Sequence, residues 1–108
     1  MLVLFDQGTP VPMRKFLRAH RVETASQRGW DTLRNGDLPN AAEAAGFEVL
    51  VIPDKSIQYQ QNLQGRKIAL IVLGNPQWPR LRQHVERVVA AVDSATPGSY
   101  VEIEIPYN

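Results

Sequence analysis

The chain has 108 residues, 44% hydrophobic and 21% charged, with 12 Lys+Arg against 11 Asp+Glu and a net charge of +1. This suits one small domain over residues 1–108, and the charge is too balanced for a global field to drive the chain onto nucleic acid or membrane. Cysteine is absent, which excludes disulfides, thiolate zinc sites and cysteine nucleophiles, and with only His20 and His84 a His-rich metal site is not expected. No apolar stretch approaches the roughly 20 residues needed to span a bilayer. Met1 runs straight into apolar residues, with no basic segment or small-residue cleavage motif. The expectation is a cytoplasmic protein with no membrane partner.

The first element is Leu2-Val3-Leu4-Phe5, an apolar run that reads as a strand. Val11 to Arg18 places Met13, Phe16 and Leu17 at helical spacing, with Pro10 or Pro12 in the first turn, where a missing N–H costs nothing. Arg21 to Ala25 is a shorter, half-polar strand candidate. Leu38 to Ala45 is an Ala-rich helix that stops at Gly46, a residue suited to the position after a helix end. Two further apolar runs follow, Phe47 to Ile52 and Ile68 to Leu73. Their nearly continuous apolar character suits strands buried on both faces of a parallel sheet. From about Pro79 to Ala95, Leu81, Val85, Val88, Val89 and Val92 form one helical stripe. Tyr100 to Ile105 alternates, as an edge strand with one wet face does. Ser26 to Gly36 and Lys55 to Gly65 carry no clear period. This alternation predicts a three-layer α/β/α sandwich with a mostly parallel central sheet.

Ligands of such sheets sit outside the carboxyl ends of the strands. Asp6 follows the first strand, and Asp54 follows the strand ending at Ile52, separated from it only by Pro53. Asp37 opens a crossover helix, which runs antiparallel to its strands and so begins at the same edge. Each acid also has an ordinary reading. Asp6 can make a turn or a cap, Asp37 an N-cap worth about 1 kcal/mol, and Asp54 an Asx turn. Three carboxylates on one edge repel and raise each other's pKa unless a cation offsets them. Oxygen donors of this kind suit Mg²⁺ or Mn²⁺.

The segments LFDQGTPVPMRKFL and GDLPNAAEAAGFEVLVIPDK resemble the small PIN-like domains related to VapC-type toxins. The shared order is an Asp ending the first strand with a Pro soon after, then Ala19-His20-Arg21-Val22, Asp37 opening a helix, and Pro53-Asp54-Lys55. It spans roughly residues 2 to 75. The resemblance implies a PIN-like α/β sandwich and a metal-dependent ribonuclease with Asp6, Asp37 and Asp54 holding Mg²⁺ or Mn²⁺. Lys55 would approach a phosphate. Departures are Gln7, where the family often has a second acid, and Ser56-Ile57 in place of an acid and an aromatic. Three ligands suffice for one ion, with Glu43 a substitute donor only if it reaches back along its helix. The alternative is a catalytically degenerate module that binds RNA or a partner protein.

The expected partners are RNA and, for a toxin, a protein antitoxin; a homodimer is the assembly expected if the chain self-associates. Arg28 and Arg34 lie in the segment expected to border the acidic edge and join Lys55 as substrate-binding candidates, each also readable as a solvated charge. Trp30, Trp78 and Tyr59 can stack on bases or simply pack. His20 should begin a strand at the opposite edge and be structural, and His84 should lie on the outer face of the last helix. A phosphoryl-accepting receiver domain is disfavoured. It needs a second acid beside Asp6 and a Thr/Ser and Lys after the last two strands, where this chain has Gly74-Asn75 and Pro106-Tyr107.

Overall fold

Three apolar runs become the centre of a five-stranded sheet in the computed structural model, which describes residues 1–30, 32–33, 37–53, 67–74 and 77–105. The strands are β1 (Leu2–Phe5), β2 (Arg21–Thr24), β3 (Val49–Ile52), β4 (Ala69–Leu73) and β5 (Tyr100–Ile103). Their order is β2-β1-β3-β4-β5, and every neighbouring pair is parallel. The expectation of a mostly parallel sheet is met in full. All four residues of β3 and all five of β4 are buried, which explains their lack of polar alternation. β5 lies at the edge, with Val101 and Glu102 exposed and Ile103 buried.

The sheet separates two apolar layers. Val3, Phe5, Val51, Ile71 and Leu73 face Met13, Leu17, Leu81, Val85, Val88 and Val92. Leu4, Leu50, Ile52, Leu70 and Val72 face Leu38, Ala42 and Phe47 on the other side. Helix α1 (Asp37–Ala44) supplies the second layer and ends before Gly46, as its sequence predicts. The last helical stripe is broken into α2 (Trp78–Leu81), a 3₁₀ turn (Arg82–His84) and α3 (Val85–Asp93). Its buried residues, Leu81, Val85, Val88 and Val92, all belong to the expected stripe, whose fifth member, Val89, is half-buried.

Residues Val11–Phe16 differ from expectation: they form a 3₁₀ helix rather than an α-helix. Pro12 removes a donor from the first turn, and the bonds that close the segment run three residues back, from Met13 N–H to the Pro10 carbonyl and from Leu17 N–H to that of Arg14. Met13 and Leu17 enter the core, whereas Phe16 is 43% exposed.

The connections do not share one hand. The 3₁₀ segment carries the chain from β1 to β2 over the first face, and α1 carries it back past β1 to β3 over the second face. Opposite directions over opposite faces give the same hand. The β4-to-β5 connection moves in the same direction as α1 but over the first face. Its hand is therefore opposite to that of the first two, although parallel crossovers in one sheet nearly always share a hand. The consequence is that α3 packs against the 3₁₀ helix instead of against α1.

Gly74 closes this last unit. Its N–H donates to the Ile103 carbonyl at 2.9 Å, and a Cβ at Gly74 would sit 2.9 Å from the same oxygen. Gly74→Ala must push β5 away or break the bond. The expected cost is about 1–3 kcal/mol in chemical denaturation; unchanged stability would refute this close approach.

Candidate functional site

In a sheet of order 2-1-3-4-5, the order in which strands are added reverses between β1 and β3, and the crevice outside their carboxyl ends is where ligands bind in doubly wound folds. Asp6 leaves β1 at that point. Its N–H donates to the Val51 carbonyl at 2.9 Å, extending the β1–β3 ladder by one bond. The Thr9 hydroxyl donates to the same carbonyl at 3.2 Å, and Thr9 N–H closes a turn onto the Asp6 carbonyl at 3.0 Å. Thr9 is 6% exposed, so this bond satisfies a buried hydroxyl that would otherwise carry a desolvation cost of about 1–3 kcal/mol. Gly8, at φ +91°, makes the turn possible and brings its backbone against Pro53, so that an added Cβ would meet Pro53 Cγ at 3.2 Å.

The Asp6 side chain is half-buried, and one carboxylate oxygen, Oδ1, accepts the Gln7 N–H at 2.7 Å. Pro53, against which Gly8 packs, is the residue before Asp54. Asp54 and Lys55 themselves, with Arg34, lie outside the described residues. Asp37 is the first residue of α1, though its side chain is likewise outside what is described. Its backbone starts six residues, or about 9 Å of helical rise, before Glu43. Glu43 marks the amino edge, because its Oε1 accepts the N–H of Lys67, just before β4, at 2.9 Å. Glu43 is therefore held at the edge opposite Asp6 and does not reach back to serve as a fourth donor.

Arg28 is engaged elsewhere as well. Its Nε and Nη2 donate to the two carboxylate oxygens of Glu23 at 2.9 and 3.1 Å, and its guanidinium lies over the rings of Trp30 at 5.5 Å and Phe47 at 5.1 Å. Trp30 meets Phe47 edge-on with centroids 6.0 Å apart. The segment after β2 thus folds back over the second face of the sheet, and Arg28 packs as part of that cover. Thr9 and this Glu23–Arg28 fork were not apparent from sequence. A five-residue separation across a strand end carries no periodic pattern, and a Thr before Pro reads as an ordinary turn residue.

His20 occupies the amino edge, as expected from its place before β2. Its Nε2 lies 2.6 Å from Asp93 Oδ1, joining the start of β2 to the end of α3. The amino edge also holds a cleft of about 270 Å³ lined by Met1, Glu43, Phe47, Glu48, Lys67 and Pro97. Its wall is largely apolar side chain, and Glu43 is occupied by the Lys67 backbone.

The donor type at the carboxyl edge, carboxylate oxygen without thiolate, fits a hard divalent cation. Among the described residues, which do not include Asp54 or the side chain of Asp37, no three acidic or imidazole side chains converge. No protein-family model, curated protein or solved structure matches the chain. Among the described residues, no helix is long and apolar enough to cross a membrane.

The Glu23–Arg28 fork has a readable pH dependence. The hydrogen bond from Arg28, with its positive charge, holds the Glu23 carboxyl below its ordinary pKa, and Glu23 in turn raises that of Arg28. A carboxyl lowered on folding contributes stability above its unfolded pKa and loses it as pH falls through the folded value. The Glu23 side-chain titration followed by NMR should have its midpoint below the ordinary carboxylate value, and Arg28→Ala should raise it toward that value. A midpoint unmoved by Arg28→Ala would show the fork absent in solution.

Proposed function

We propose that the chain is a PIN-like, metal-dependent ribonuclease whose centre is the carboxyl edge at the β1/β3 switch point. The observation that carries the reading is the double hold on the Val51 carbonyl, which fixes Asp6 beside the strand end that continues into Pro53 and Asp54. The parallel order 2-1-3-4-5 and the helix start at Asp37 are consistent with it.

On this reading Asp6, Asp37 and Asp54 hold one Mg²⁺ or Mn²⁺ ion. When bound, the ion lowers the pKa of a water to make a nucleophile and offsets charge on the leaving oxygen of a phosphodiester. Asp6 contributes a carboxylate oriented by the Gln7 N–H, so its position is set before substrate arrives. Gln7 is uncharged and orients solvent without adding to the ligand charge. Lys55 neutralises a phosphate near the scissile bond, and Arg34 lies on the chain leading into Asp37. The substrate is RNA, and if the nuclease acts as a toxin its partner is a protein antitoxin. Gln7 and Ser56, standing where the resemblance leads one to expect acids, favour a second reading: a non-catalytic member that binds RNA or a partner protein.

Mn²⁺ titration calorimetry on wild type and Asp6→Asn separates these readings. Loss of groups that merely orient a metal ligand already costs 10–100-fold in affinity, so Asp6→Asn should weaken Mn²⁺ by more than about tenfold. Asn retains a carbonyl for the Gln7 N–H, and stability should change by less than about 0.5 kcal/mol. Mn²⁺-dependent cleavage of RNA should vanish with the substitution. A wild type with no Mn²⁺ affinity would end the nuclease reading, and a large stability loss in Asp6→Asn would make Asp6 a structural cap.

A further inference from the structure

The opposite-handed last crossover brings two short helical segments together on the first face. Phe16, at the end of the 3₁₀ helix, meets Trp78, at the start of α2, with ring centroids 6.0 Å apart and planes tilted by 50°. Phe16 is 43% and Val11 49% exposed, and Trp78 is half-buried. Both segments begin where the chain leaves the carboxyl edge, the first starting five residues after Asp6 and the second five after Leu73. An open depression of about 510 Å³ beside them is lined by Val11, Pro12, Arg14 and Lys15.

The charge around this pair is one-sided although the whole chain is nearly neutral. Residues 7 to 22 contain no Asp or Glu, and neither do residues 67 to 85. Arg14 and Lys15 adjoin Phe16 and are exposed. Arg82 is exposed one helical turn beyond Trp78, on the same side of that segment. Arg14, Lys15 and Arg82 form no ion pair among the described residues. Packing alone would favour covering Phe16 and Val11, and an exposed aromatic among exposed cations instead complements a chain that offers both π-faces and phosphates.

We propose that Phe16 and Trp78, with Arg14, Lys15 and Arg82, form a stacking platform for single-stranded RNA that leads into the carboxyl edge. The proposal rests on RNA being the substrate and names the surface that holds it. A base stacks on the exposed Phe16 ring, and the backbone tracks along Arg14 and Lys15 on one side and Arg82 on the other. Such contacts are sequence-tolerant and strongly salt-dependent.

The test is fluorescence anisotropy of a labelled oligouridylate of about twelve nucleotides, in EDTA so that no cleavage occurs. Wild type should bind. Arg14→Glu with Lys15→Glu should weaken binding about tenfold or more and lower the slope of log K against log salt by about 1.4. Phe16→Ala, which alters an exposed side chain, should weaken it about fivefold or more and serves as the second variant if charge reversal disturbs the fold. In a Trp30→Phe background, the oligonucleotide should quench the remaining Trp78 emission. Absence of wild-type binding, or variants that bind as wild type, overturns the platform. So does self-association that Phe16→Ala abolishes without any RNA binding. Mn²⁺-dependent cleavage measured separately keeps the two proposals apart. Cleavage with unaltered binding in these variants removes only the platform, and binding without cleavage removes only the nuclease.

Discussion

The carbonyl of Val51 accepts two hydrogen bonds, from the Asp6 N–H and from the Thr9 hydroxyl, and the organisation of the carboxyl edge depends on that pair. Each such bond contributes about 1 kcal/mol net, yet together they fix more than their energy suggests. The first extends the central ladder past the end of β1. The second turns the chain so that Gly8 lies on Pro53 and Pro10 can open the 3₁₀ segment. A side chain at Gly8 would meet both a strained φ and the Pro53 ring. Asp6 is consequently held at the point where the strand order reverses, with Asp54 one residue beyond the contact in sequence.

The same exit loop determines what lies over the first face. Because the 3₁₀ segment is short and places Met13 and Leu17 inward, it leaves room for α3 beside it. The last crossover then runs with the opposite hand to the first two. Apolar burial by Leu81, Val85, Val88 and Val92 holds it there, since each fully buried aliphatic side chain contributes about 1.5–3 kcal/mol. On the second face the Arg28 guanidinium is committed to Glu23, Trp30 and Phe47. The two faces therefore differ: one pairs its aromatics with an internal salt bridge, and the other exposes an aromatic among cations that form no ion pair among the described residues.

Much of the architecture was legible in the sequence because burial writes itself into periodicity. β3 and β4 are apolar throughout since both of their faces are covered, and the Leu81-to-Val92 stripe is the buried side of one helical stretch. The positions of Asp6 and of Asp37 at the start of α1 followed from the same reasoning. Four features did not. The 3₁₀ character of Val11–Phe16 arises from Pro12 and a missing donor, although the apolar spacing there matches an α-helix. The break at Arg82–His84 carries no Pro or Gly. The hand of the last crossover is set by which face α3 chooses, and an apolar stripe fits either. The partners of Glu43 and Arg28, the Lys67 backbone and the Glu23 carboxylate, leave no periodic mark in the sequence. Lys55 and Arg34 lie outside the described residues.

Crystals grown or soaked with Mn²⁺, with data collected near the manganese absorption edge, test the account of the carboxyl edge most directly. One anomalous peak is expected outside the carboxyl ends of β1 and β3, with an Asp6 carboxylate oxygen at about 2.1 Å and Asp37 and Asp54 completing the protein ligands. A peak confined to the amino edge, near Glu43, Glu48 or Asp93, or no peak at all, would contradict it.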